Sequence, residues 1–165
     1  MPKLKKSGLK WMHIIHIVLI GIWLGGVVSV SAFATIALFQ TDETVFSNNI
    51  ATVSILLKTI ISPVAFITIA QGILYGLFTN WGFFKHKWIA FKWFLMLIVG
   101  LLTGIGTRGQ INSLIAKVKD YGFTGGLTDG GLIITLIALQ LIILIYMIII
   151  SAYKPKNIIN SSKNN

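Results

Sequence analysis

The chain has 165 residues, 55% of them hydrophobic and 11% charged, with a mean hydropathy of +0.85, values outside the range of soluble globular domains. A formal net charge of +10 would direct a soluble protein to nucleic acid, but here the cations gather at the ends of apolar runs, where lysines orient a chain and meet anionic lipid headgroups, so no nucleic-acid partner is expected. With no cysteine at all, disulfides, iron–sulfur clusters and thiolate metal sites are excluded.

Four runs reach the roughly 20 residues that a bilayer-spanning helix needs, at about 11–37, 60–80, 88–107 and 132–153. They predict an all-α, polytopic bundle in a single domain, 1–165, a multi-pass protein of the cell membrane with the lipid bilayer as its first partner. The first run is too long for a signal-peptide core and is expected to stay in the mature protein. Lys3, Lys5, Lys6 and Lys10 precede it, Lys85 and Lys87 lie between the second and third runs, and Lys154, Lys156 and Lys163 follow the fourth. Four spans put all three groups on one side, so both termini are expected in the cytoplasm. The first connection, with Asp42 and Glu43 and no basic residue before Lys58, reads as external.

Between the third and fourth runs, Ile111, Leu114, Ile115 and Val118 recur at helical spacing beside Lys117 and Lys119, which predicts a short interfacial helix. The glycine-rich stretch after it reads as a flexible return. Gly21 and Gly25, Gly72 and Gly76, and Gly100 and Gly104 each form a small-xxx-small pair, which lets membrane helices approach closely. The fourth run has no such pair. A tight core of three helices is expected, with the fourth outside it and more open to lipid.

The first run also holds the residues that carry chemistry. His13 and His16 share a helix face at i, i+3, and Trp23 returns to it seven residues later, so one polar stripe is expected to look inward. The third run holds Lys92. It lies about 7–8 Å beyond Lys87, and His16 about 9 Å beyond Lys10, which places them at similar depth near the cytoplasmic face. Ionisable residues inside a span are costly and mark function. Lys92 either snorkels to the headgroups or faces His16 and holds an anionic group such as a carboxylate or propionate. Two imidazoles at i, i+3 could also share a metal ion, with a third ligand still to be found. Gln71 and Gln140, mid-span, are expected to hydrogen-bond between helices, Arg108 to anchor the third helix externally, and His86 to be solvated. No pair of carboxylates and no nucleophile triad is present, which argues against a hydrolase.

The run His16, six residues, then Trp23-Leu24-Gly25-Gly26, followed by Trp88-Ile89-Ala90-Phe91-Lys92, resembles the small membrane-protein family of the CopD-like copper-resistance proteins and HemJ-like protoporphyrinogen oxidases. The HemJ-like pattern implies haem or porphyrin association, with His16 and Lys92 as the functional pair, His13 beside them, and membrane oxidoreductase chemistry if the protein is an enzyme. Haem b is the cofactor so implied, its iron on imidazole and a propionate on the lysine. The CopD-like pattern implies copper, with His13 and His16 on the metal and Arg108 closing the later helix. Trp23, Gly25, Gly26, Gln71, Trp88 and Arg108 are the supporting set. A cofactor-free accessory subunit stands as the third reading, with a homo-oligomer or a membrane partner equally open.

Overall fold

The computed structural model describes residues 6–78, 87–126 and 130–153. Every element among them is helical. We name them α1 (Lys6–Leu38), α2 (Glu43–Leu56), α3 (Ser62–Phe78), α4 (Lys87–Leu101), α5 (Arg108–Gly126) and α6 (Gly130–Tyr153). Two π-helical turns, Leu57–Ile61 and Leu102–Thr107, join α2 to α3 and α4 to α5 without a break. The result is four helices long and apolar enough to cross a membrane, Ser7–Leu38, Glu43–Phe78, Lys87–Asp120 and Gly130–Tyr153, which makes this an integral membrane protein. Lys3, Lys5, Lys85, His86, Lys154, Lys156 and Lys163 lie outside the described residues.

The second and third spans are longer than the sequence predicts, and the reasons are local. Asp42 caps α2, its carboxylate accepting from the amides of Thr44 at 2.7 Å and Val45 at 3.1 Å, and Glu43 follows in the first turn, where the helix dipole favours an anion. Phe46, Ile50, Val53, Leu57 and Ile61 then form one buried stripe that runs straight through the first π turn. The expected external loop shrinks to the residues before Asp42. Pro63 cannot donate, and its ring would press on a carbonyl one turn back; the π turn just before it opens that ladder, and Ser62 fills in by donating from Oγ to the Leu57 carbonyl at 2.7 Å. The predicted interfacial helix is instead the first half of α5, with Ile111 and Leu114 buried in the bundle and the backbone continuous with α4.

The order of packing also differs from expectation. α6 is no outlier: Ile133, Ile137, Gln140, Leu144 and Met147 are buried along one face, and Gly130 sits so close to Leu38 that a Cβ there would fall 2.5 Å from its Cδ2. Close approach is made by Ala34, Ala37 and Gly26 on α1, while a Cβ on Gly21, Gly25, Gly100 or Gly104 would meet nothing within 4 Å. A GxxxG pair permits contact between helices but does not choose the face that receives it.

At one end α2 packs on α1 and α5, and α5 on α6; at the other α3 packs on α1 and α4 on α6, while α1 and α6 pack on each other and α3 and α4 make the weakest neighbour contact. The two long helices thus meet at their α2 and α5 halves and part beyond their π turns, which is where long helices change direction.

Candidate functional site

A cavity of about 380 Å³ fills the space between the parted halves, bordered by residues of α1, α3, α4 and α6. His13, His16 and Trp23 reach it from α1, Trp88 and Lys92 from α4. The sequence-predicted polar stripe therefore does share one chamber with Lys92. Its walls are mostly apolar, supplied by Ile20, Leu24, Ile69, Met96, Leu144 and Met147, and the polar groups are few, as in most small-molecule sites.

His16 is held from behind. Gln71, buried on α3, donates from Nε2 to the Met12 carbonyl at 2.7 Å, and its Oε1 lies 3.2 Å from His16 Nδ1. A carbonyl only accepts, so the amide nitrogen must face Met12 and the amide oxygen must face the imidazole. That oxygen also only accepts, so in the neutral imidazole Nδ1 carries the proton and Nε2 keeps its lone pair. Tyr75, one turn beyond Gln71, meets the His16 ring edge-on with centroids 5.9 Å apart. Lys92 does not bond to His16. Its ammonium donates to the Ser151 hydroxyl near the end of α6, and the described carboxylates, Asp42, Glu43 and Asp120, lie on α2 and α5 at the other end of the bundle.

Three of the supporting residues, Gly25, Gly26 and Arg108, stand outside the cavity lining. Gly25 faces outward, its carbonyl accepting from Ser29 Oγ at 2.9 Å; it is Gly26 that packs, 3.1 Å from Ile61 Cγ1 by its ideal Cβ. Arg108 opens α5 beyond the second π turn, away from the cavity lining. Gln140 is buried, but its Nε2 finds no partner among the described residues, so it does not make the interhelical bond expected of it through that atom. Ser151, Tyr75 and Trp93 are site residues that the sequence does not single out, and Met96 and Met147 are too scattered along the chain to read as a copper ladder. Tyr75 follows Gln71 by four residues, so helical spacing from a site residue was the signal available for it; Ser151 had none.

Comparison of the chain with protein-family models, with curated proteins and with solved structures finds no match. Among the described residues no group of three or more His, Cys, Asp or Glu is placed to hold a metal ion.

Proposed function

We propose that this membrane protein binds a haem or related tetrapyrrole in the cavity between α1, α3, α4 and α6, in the manner its HemJ-like resemblance implies. The observation that carries the reading is the Met12–Gln71–His16 relay. A histidine that ligates a metal commonly gives its second ring N–H to a fixed oxygen, which sets both tautomer and ring orientation, and here that nitrogen is Nδ1. His16 Nε2 would hold the iron, Lys92 with Ser151 would hold a propionate, and the apolar walls would cover the macrocycle. Haem b would supply one-electron chemistry, as in a membrane oxidoreductase. The cavity volume falls within the range of about 300–1,000 Å³ common to ligand sites. By the positive-inside rule the cavity end faces the cytoplasm, in a cell membrane.

The test is the visible spectrum of protein purified after expression with ample haem. The wild type is expected to show a Soret band, His16→Ala to lose it, and Lys92→Ala to keep it with affinity lowered about ten-fold, the worth of one charge-assisted hydrogen bond. A flat spectrum from folded wild-type protein sinks this reading.

The second reading is copper, and one arrangement favours it. Met96 and Met147 border the same cavity as His13 and His16, which brings thioether sulfur to two imidazoles, a donor set that suits Cu(I). Competition with a chromogenic Cu(I) chelator tests it: retention should fall in Met96→Leu and Met147→Leu, which leave a haem-ligating histidine untouched.

A further inference from the structure

The walls of the cavity are unequal. α1 lies against α3 and α6, and α6 against α4, but α3 and α4 do not close the ring. Beside the cavity they touch where the edge of the Trp93 ring covers Gly72, 3.4 Å from the position of a Cβ there. A single indole over a glycine is a thin partition, and Trp88 and Tyr75 also border the cavity. Helix faces adjoining this seam carry Ile73, Leu77 and Phe94, all exposed, as suits contact with acyl chains. Inside, Lys92 offers a cation whose described partner is a neutral hydroxyl.

We propose that the cavity is a side-entry site: it takes a membrane-dissolved amphiphile bearing one anionic group through the seam between α3 and α4, past Trp93. The anion lies on Lys92 and Ser151, and the apolar body lies against Met96 and Leu144. Two features support this occupant. A half-buried ammonium with no anion beside it among the described residues is costly to maintain and is relieved by a ligand that brings one. A chamber with such walls and a lipid-facing seam is reached more readily from the bilayer than from water. This inference rests on the reading of the cavity as a ligand site, and a tetrapyrrole carboxylate is one member of the class.

The probe is 9,10-dibromostearate added to the protein in phosphatidylcholine vesicles, with tryptophan fluorescence as the readout, since bromine quenches an indole on contact. The wild type is expected to show a saturable component of quenching that is diminished in Trp93→Phe. Lys92→Met should weaken it about ten-fold, and the uncharged methyl ester should behave with wild type as the acid does with Lys92→Met. Dibrominated phosphatidylcholine alone should give only non-saturable quenching of outward tryptophans such as Trp11; a saturable response to it would overturn the single-anion amphiphile as occupant. Gly72→Leu, which thickens the partition, should slow the approach to saturation. No saturable component in the wild type, or one indifferent to both Trp93→Phe and Lys92→Met, overturns the proposal. The haem spectrum is scored separately: quenching with a flat spectrum keeps the side entry and removes the tetrapyrrole, and a Soret band without quenching does the reverse.

Discussion

A carboxamide can accept from an imidazole and donate to a carbonyl at once, and Gln71 uses both ends in that way. Replacement by leucine keeps the volume and removes both bonds. Gln71→Leu is therefore expected to release His16 into a mixture of tautomers, read from the imidazole ¹⁵N shifts of the apo protein, where the wild type shows the proton on Nδ1. A wild-type proton on Nε2 would contradict the relay. The same substitution should lower stability by about 1–3 kcal/mol, because two interhelical bonds are lost in a medium with no water to replace them. Gln140→Leu should go the other way. Its Nε2 is buried without a partner, so leucine should leave stability unchanged or raise it by about 1 kcal/mol in a denaturant titration. Two mid-span glutamines are indistinguishable in sequence, because a polar side chain shows that a partner is needed without showing that one is found.

At the scale of the element, the stripe Phe46, Ile50, Val53, Leu57 and Ile61 explains both what was legible and what was not. Its spacing is helical throughout, yet Ser47, Asn48 and Asn49 lower the hydropathy of its first half below that of a span, and a hydropathy reading stops where polarity begins. Backbone continuity is set instead by the Asp42 cap and by the absence of a breaker before Pro63. α5 departs from expectation for the same reason, since Lys119 is exposed while Ile111 and Leu114 are buried. The four apolar cores of the spans, the inward placing of His16 and Trp23 with exposed His13 at the cavity's edge, and the common chamber with Lys92 could be read from periodicity and depth. Which face each helix turns to its neighbours could not, and the glycines show it. Gly26→Leu should cost about 1–3 kcal/mol by overpacking against Ile61, whereas Gly25→Leu, pointing into open space, should fall within about 0.5 kcal/mol of wild type. Equal effects of the two in thermal unfolding would mean that α1 is rotated from the face described.

Over the whole molecule, charge and length agree on an orientation that the four-span fold alone does not set. α1 has 33 residues, about 50 Å at helical rise, against a hydrocarbon thickness of about 30 Å, so the bundle must project from the membrane. The α2 and α5 end is suited to that, with Asp42, Glu43, Asn48, Asn112, Lys119 and Asp120 on its surface. Among the described residues Lys10 and Lys87 lie at the cavity end, against Lys58, Arg108, Lys117 and Lys119 beyond it with Asp42, Glu43 and Asp120; in sequence Lys3, Lys5 and Lys6 precede Lys10, Lys85 precedes Lys87, and Lys154, Lys156 and Lys163 follow α6. By the positive-inside rule that asymmetry predicts a cytoplasmic cavity end. Because the chain has no cysteine, single-cysteine variants read topology without background. Thr41→Cys, which spares the Asp42 cap, and Lys119→Cys should react with an impermeant maleimide in intact cells; Lys87→Cys and Lys163→Cys should react only after permeabilisation. The reverse pattern would turn the anion-binding end outward and make any ligand an extracytoplasmic one, while Thr41 and Lys119 labelling from opposite sides would contradict the pairing of α2 with α5 itself.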